Sequence, residues 1–236
     1  QNLIGLVCSN GEGVFQNHKE AIKWYLKAAE QGHSGAQFNL GIVYSNGEGV
    51  PQDYKEAAKW YLKAAGQGHT GAQFNLGLAF SKGEGVPEDE NEAVKWHRKA
   101  AEQGLAIAQF NLGCALYYGK GIAQDYEEAL KWYLKAAEQG YAAAQFNLGL
   151  FYYKGAGVPQ DIQESVKWFR KAAEQNYPVG QLALGGMYLE GKGVPQDVVE
   201  AYFWLNLAAG QNEEYAKHRD NAAAKLTPRE IDEVQA

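Results

Sequence analysis

The sequence has no long apolar run and no excess of positive charge. No stretch of its 236 residues approaches the roughly 20 consecutive apolar residues of a membrane span, so membrane insertion is not expected. Acidic residues number 28 against 22 basic ones, which gives a formal net charge of -6. Such a surface repels the phosphate backbone of nucleic acids. We therefore expect neither a membrane protein nor a nucleic-acid-binding protein.

The sequence also lacks the residue sets of metal and nucleotide sites. Among the five histidines, only His33 and His69 share a position in the repeat described below. One repeat separates them, about 10 Å, which is too far for one zinc ion with bonds of about 2.0 to 2.1 Å. The Gly-x-Gly pairs, such as Gly47 and Gly49, lack the third glycine and the Gly-Lys-Ser/Thr ending of phosphate-binding loops. We expect no metal site and no cofactor.

The sequence does contain a strict period of 36 residues, marked by its six tryptophans: Trp24, Trp60, Trp96, Trp132, Trp168 and Trp204. A fixed period of this size predicts a solenoid of stacked repeats, each of which buries its apolar side only against its neighbours. No linker or shift of composition interrupts the period. We therefore predict one continuous domain over residues 1–236, with six repeats of which the first is truncated, and capping helices over 211–236.

Each repeat contains a first predicted helix, which we call helix A. In one copy it covers about residues 34–45, where apolar residues such as Ala36 and Leu40 are spaced by four. Ser34 and Gln37 have the spacing of a capping box, which predicts that Ser34 caps the helix.

The second predicted helix, helix B, has a start signal that recurs in every repeat. Asp53 is followed three residues later by Glu56, and an Asp or Asn is paired with Glu at the same place in the other copies. Gly68 follows the last apolar residue, where a left-handed C-terminal residue favours glycine. Gly41 lies in the middle of helix A and costs roughly 1 kcal/mol there relative to alanine. We interpret Gly41 as a point where two helix backbones approach closely.

The repeat resembles the Sel-one-like repeat family, a relative of the tetratricopeptide repeat. The residues that carry this resemblance in one copy are Ala36, Leu40, Gly41, Tyr44, Gly47, Gly49, Val50, Asp53, Ala57, Trp60, Tyr61, Lys63, Ala64, Ala65, Gln67 and Gly68. The resemblance implies an all-α fold, a right-handed α/α superhelix of helix-turn-helix repeats. It also implies a role as adaptor or scaffold for a protein or peptide partner. The last copy departs from the pattern after Ala209, and Thr227 with Glu230 predicts the start of a final capping helix.

The resemblance to tetratricopeptide repeats also implies that helix A lines a concave groove. Two ladders of recurring residues would then face it: Phe38, Phe74, Phe110 and Phe146, and Asn39, Asn75, Asn111 and Asn147. The amides could pair with the backbone of an extended peptide, while the phenylalanines supply apolar contact. Alternatively, the phenylalanines pack between repeats and the asparagines bond a neighbouring helix.

Further along the chain the groove positions become aromatic. Tyr117, Tyr118 and Tyr153 occupy places where earlier copies have serine or asparagine. Aromatic residues are enriched at binding hot spots, so the third to fifth repeats are the preferred location for a partner. Packing between repeats is the alternative for these tyrosines.

Two functions are compatible with this pattern. A non-enzymatic scaffold that binds an extended peptide or a partner surface is favoured. The alternative is a protein that binds a small molecule similar to a β-lactam, or a cell-wall glycan, and that has at most weak hydrolase activity. This alternative is considered because some cysteine-rich relatives bind penicillin. The cysteine pairs of those relatives are absent, since Cys8 and Cys114 lie three repeats apart and in different registers. No Ser-x-x-Lys or Lys-Thr-Gly occurs, and Glu190 is the sole acidic groove position, so no carboxylate pair for glycoside hydrolysis emerges.

The start of the chain aligns with the interior of a repeat. Residues 1–5 match residues 37–41, so we expect the native N-terminus to lie upstream. The truncated first repeat also permits self-association. The resemblance favours a bacterial protein, either cytoplasmic or exported.

Overall fold

A computed structural model describes residues 1–10 and 17–235 of the chain. Within these ranges the protein forms α-helices and one short 3-10 helix, and no strand. The chain divides into two compact units, Gln1–Gln124 and Asp125–Ala236. The side chain of Cys8 lies outside the described part of the structure, so the expectation that Cys8 and Cys114 do not form a pair stays a prediction.

The helices alternate between the two predicted types. Helix A of successive repeats is α1 Asn2–Asn10, α3 Ser34–Asn46, α5 Thr70–Lys82, α7 Ala106–Tyr118, α9 Ala142–Lys154 and α11 Pro178–Glu190. Helix B is α2 His18–Glu30, α4 Tyr54–Gly66, α6 Glu90–Glu102, α8 Tyr126–Glu138, α10 Ile162–Glu174 and α12 Val198–Gln211. The all-α repeat fold is therefore confirmed. No helix in the described part of the chain has both the length and the apolar character needed to cross a bilayer.

The predicted start of helix B is confirmed. Asp53 lies just before α4, and its Oδ1 accepts a hydrogen bond from the backbone N–H of Glu56 at 3.0 Å. The same bond forms at the start of each of the other B helices. This bond satisfies one of the backbone donors that a helix start leaves without an intrahelical partner.

The predicted start of helix A at residue 34 is confirmed, but the predicted cap is wrong. Ser34 is already inside α3, and the cap is His33, whose Nδ1 accepts from the N–H of Ala36 at 3.4 Å. The side chain of Gln37 does not reach back to the helix start, because it is buried and donates to the carbonyl of Ala29 at 3.1 Å. A tertiary contact with the preceding helix B thus replaces the local capping box.

The mid-helix glycine makes room for a ring rather than for a second backbone. A Cβ built on Gly41 would lie 2.4 Å from the ring of Tyr61, which belongs to helix B of the same repeat. In the second unit, a Cβ on Gly149 would lie 2.4 Å from the ring of Phe169. The nearest atoms at these two positions are aromatic carbons, so the interpretation of close backbone approach is wrong there. It is confirmed at the equivalent Gly77 and Gly185, where a Cβ would also lie 3.2 and 3.1 Å from a backbone oxygen of helix B.

The C-terminal helices pack on the last repeat. After the 3-10 helix Glu213–Tyr215 come α13 Ala216–Ala223 and α14 Pro228–Gln235. Ile231 and Val234 of α14 lie against a buried cluster that includes Tyr202 of α12. This contact covers part of α12 that would otherwise face solvent.

Candidate functional site: the helix A groove

The residues predicted to face a groove share one environment. Ten of the eleven are half-buried, and Tyr118 alone is exposed, at 72%. Half-burial leaves their side chains accessible from one side while the other side packs within the repeat stack.

A pocket recurs at one position of the repeat. Pocket I, of about 290 Å³, has a lining that includes Ile42, Ser45, Asn46, Tyr61, Asn75 and Lys82. Pocket II, of about 230 Å³, is lined by residues 36 positions after those of pocket I, among them Leu78, Ser81, His97, Asn111 and Tyr118. Pocket III lies in the second unit, has about 270 Å³, and includes Tyr153, Ala183, Gly186, Met187 and Glu190. Pockets I and II are lined by two successive A helices and by the helix B between them. Pocket III is lined mostly by α11, together with Tyr153 of α9 and residues of α12 and α13.

Two of the predicted asparagines have partners inside the protein. Asn39 donates to the Oδ1 of Asn2 at 3.1 Å, from α3 to α1. Asn75 faces the hydroxyl of Tyr61: burial raises the pKa of this tyrosine, and hydrogen bonding with Asn75 and Ser45 opposes that rise. Bonding to a neighbouring helix, the alternative left open for the asparagines, therefore occurs at these two positions. Partner binding by the asparagine ladder stays a prediction.

The phenylalanine ladder packs on the next ring in the stack. Phe38 stacks on His69 with ring centroids 4.5 Å apart, and Phe74 lies 5.6 Å from His97. In the second unit, Phe146 lies 5.6 Å from Phe169. Phe110 and Phe146 are half-buried like the others. These contacts hold Phe38, Phe74 and Phe146 in place, and contact of the phenylalanine ladder with a partner stays a prediction.

The predicted tyrosines lie near the pocket rims. Tyr117 and Tyr118 meet edge to face with centroids 4.9 Å apart, and Tyr118 lines pocket II. Tyr153 lines pocket III beside Lys192, whose pKa is raised by the hydrogen bond and charge of Glu190. Because Lys192 lies 2.6 Å from Glu190, the acidic groove residue is ion-paired.

Sequence reasoning missed a buried ladder of glutamines. Its members Gln37, Gln73, Gln109, Gln145 and Gln181 are at most 5% exposed, and each donates to a carbonyl of the preceding helix B. The oxygen of Gln37 accepts from Gln67, and that of Gln73 from Gln103, both at 2.7 Å. The recurrence of glutamine at this position was the available signal. Amides that join one repeat to the next in this way are structural and do not face the groove.

Sequence reasoning also missed His97, which stands where four of the other five repeats have tyrosine or phenylalanine and the last has leucine. It is 6% exposed, and its Nε2 has no hydrogen-bond partner among the described residues. Burial lowers the pKa of His97 to about 4 against the opposing charge of Glu90, so the imidazole is neutral at neutral pH. The signal in the sequence was the single histidine in a column of tyrosine, phenylalanine and leucine.

Comparison with known families identifies the repeat. The model of the Sel1 repeat matches six consecutive segments, residues 1–33, 34–69, 70–105, 106–141, 142–177 and 178–213. The chain belongs to the Sel1 repeat family. No curated protein sequence matches this Sel1 repeat chain significantly.

Solved structures agree with this assignment. A Sel1 repeat protein from Oxalobacter formigenes is 37% identical, with a TM-score of 0.83, over 89% of this chain and 82% of that one. A Sel1 repeat protein from Klebsiella pneumoniae subsp. pneumoniae is 24% identical, with a TM-score of 0.51, over 86% of this chain and 99% of that one. Both neighbours are bacterial, and the second supports the fold alone. Sel1 repeat proteins generally act as scaffolds for protein interactions rather than as enzymes.

Proposed function

We propose that this Sel1 repeat chain is a non-enzymatic scaffold that binds an extended peptide, or an extended edge of a partner protein, along the helix A groove. The observation that carries this proposal is the recurrence of one pocket at one repeat position, as pockets I, II and III. A ligand with a regular spacing of side chains suits a surface with a regular spacing of pockets. A compact small molecule would fill one pocket and leave the others unused.

The spacing of the pockets favours a chain with a three-residue period. Packed helices lie about 8 to 10 Å apart. A polyproline II segment rises about 3.1 Å per residue with three residues per turn, or roughly 9 Å per turn. Every third side chain of such a segment would therefore meet the next pocket, as from pocket I to pocket II.

The chemistry of the pockets supports peptide binding over glycoside hydrolysis. Asn75 at pocket I and Asn111 at pocket II each offer a donor and an acceptor for a peptide backbone. Pocket II contains one carboxylate, Glu90, which lies 2.5 Å from the Lys120 ammonium. Pocket III likewise contains one, the ion-paired Glu190. Glycosidases of the usual kind need two carboxylates on opposite sides of the bond that is cleaved.

A photo-crosslinking experiment tests the location of the partner. A photoreactive amino acid replaces Asn46, which is exposed at pocket I, and in a matched variant it replaces Lys59, which is exposed on helix B. We expect crosslinks to a partner from position 46 and not from position 59. Crosslinks from position 59 alone would contradict groove binding and place the partner on the B helices.

A second variant tests the asparagine ladder itself. Asn75→Ala, Asn111→Ala and Asn147→Ala are combined, and circular dichroism checks that the variant keeps its helix content. Loss of the position 46 crosslink in a folded variant is the expected result. Undiminished crosslinking would show that the asparagines serve packing, as the bond of Asn39 to Asn2 does.

A further inference from the structure

We propose that pocket II binds a hydroxyl group carried on an aromatic ring, such as the phenol of a tyrosine side chain, with His97 and Asn111 as its hydrogen-bond partners. Pocket II would then differ from pocket I in what it recognises, although both lie in the same groove. Only the identity of the molecule that brings the hydroxyl, a groove peptide, rests on the proposed function. The site itself stands on the comparison of two successive repeats.

The ring of His97 lies where the ring of Tyr61 lies one repeat earlier. A Cβ on Gly41 would be 2.4 Å from Cε1 of Tyr61, and a Cβ on Gly77 would be 2.7 Å from Nε2 of His97. Both rings therefore rest on the same glycine of helix A. The tyrosine ring continues to a hydroxyl, whereas the imidazole ends at Nε2.

The groups that surround the Tyr61 hydroxyl recur in pocket II. Asn75 and Ser45 line pocket I together with Tyr61, and hydrogen bonding with them opposes the rise that burial causes in the pKa of the tyrosine hydroxyl. Asn111 and Ser81 are their counterparts, and both line pocket II together with His97. The repeat thus keeps the partners of a hydroxyl at a place where its own side chain supplies none.

His97 provides the observation that points to a ligand. It is 6% exposed, it lines pocket II, and its Nε2 has no hydrogen-bond partner among the described residues. Buried polar atoms are nearly always hydrogen-bonded, and one left without a partner destabilises the protein. A hydroxyl satisfies either tautomer of a neutral imidazole, because it can both donate and accept.

The other pocket residues select against charged ligands and accommodate a ring. Glu90 and Lys120 already pair with each other at 2.5 Å, so a charged ligand would have to compete with this ion pair. Ser81 donates to Glu90 at 3.1 Å, so its oxygen remains able to accept. Apolar surface for a ring comes from Leu78, Val94 and Ala115.

The test uses phenol as the probe and the side-chain nitrogen signals of the histidines as the readout. Phenol is titrated into the whole chain, and the Nε2 signal of His97 is followed by NMR, assigned through its loss in His97→Tyr. We expect a saturable shift of this signal, with phenol binding about tenfold tighter than toluene, the value of one hydrogen bond. Equal affinities for phenol and toluene, or no saturable shift, would overturn the proposal.

Two matched variants locate the site. In His97→Tyr the side chain supplies its own hydroxyl, so phenol should no longer bind. In Tyr61→His the same change is made in reverse, and a second phenol site should appear at pocket I. Retained binding in the folded His97→Tyr variant would place the phenol elsewhere and overturn the proposal. Because phenol binding needs no protein partner, failure here and failure of the crosslinking experiment are separate results.

Discussion

The two helices of one repeat are stabilised by different means. In α4, a B helix, Asp53 caps the start, Glu56 pairs with Lys59, and Lys63 lies 4.1 Å from the ring of Trp60. In α3, the A helix of the same repeat, no side chain is acidic or basic, and the buried Gln37 bonds to another helix. Helix B therefore draws on contacts within itself, whereas helix A depends on its neighbours.

This difference indicates which positions of the chain tolerate substitution. The exposed charges of helix B are each worth little, because surface ion pairs contribute about 0 to 1 kcal/mol. Contacts between helix B rings and helix A join the two helices, and removing one should destabilise both.

Removing a ring from the contact between the two helices should have the largest effect. Phe169 is 1% exposed and rests on Gly149 of helix A. Phe169→Ala should lower the free energy of unfolding by about 3 to 5 kcal/mol, measured by urea denaturation. Phe169→Leu is the control, because Leu205 occupies this place in the last repeat, and it should cost less than about 1.5 kcal/mol. Similar losses for the two variants would contradict the proposed contact.

Acid should destabilise the protein through His97. Its pKa in the folded state is about 4 against the usual value of 6.5, so the unfolded chain binds more protons between these values. Stability from this group is full above pH 6.5 and is lost as the pH falls to 4, by on the order of 3 kcal/mol at 1.36 kcal/mol per unit. Urea denaturation at several pH values measures this loss.

The control for the acid effect is His97→Phe, which keeps a ring and cannot titrate. The difference in unfolding free energy between parent and variant should change over the same pH window. A constant difference would mean that His97 is not responsible.

Two glycine-to-alanine substitutions should change the free energy of unfolding in opposite directions. Gly41→Ala places a Cβ 2.4 Å from the Tyr61 ring and should destabilise by about 1 to 3 kcal/mol. Gly66→Ala, in helix B, meets nothing within 4 Å and should stabilise by up to about 1 kcal/mol through helix propensity. Thermal unfolding measures both. Stabilisation by Gly41→Ala would show that the ring can move aside.

The smallest effect is expected at a cap. Asp53→Ala removes the acceptor of the Glu56 N–H and should cost about 1 kcal/mol. Asp53→Asn keeps an acceptor at the same place and should cost less, which chemical denaturation of both variants measures. A loss as large as that of Phe169→Ala would contradict the view that helix B is stabilised by small local contributions.

The features that were predicted correctly from the sequence depend on residues that are close together in the chain. The cap by Asp53 involves a residue three positions away, and Gly68 adopts the left-handed conformation with φ +87°. The capping box at Ser34 failed because Gln37 bonds to Ala29 across the repeat boundary. Local spacing could not show this competing partner.

Some of the residues predicted to face a groove line pockets, and their contact with a partner stays a prediction. The A helices do line the pockets, and Asn75, Asn111 and Tyr153 are among the lining residues. His97 was overlooked, because its interest depends on Gly77, Ser81 and Asn111, which come from other helices. A histidine in helix B has no special meaning until those neighbours are known.

By itself the sequence determined the 36-residue period, the two helices of each repeat and the starts of the B helices. These features follow from apolar spacing and from capping bonds between residues three apart, which need no distant partner. Only the tertiary structure decided that Gln37 joins repeats, that Gly41 receives a ring, and that His97 is buried without a hydrogen-bond partner. Each depends on atoms brought together from different helices, and their distances are set by packing rather than by spacing along the chain.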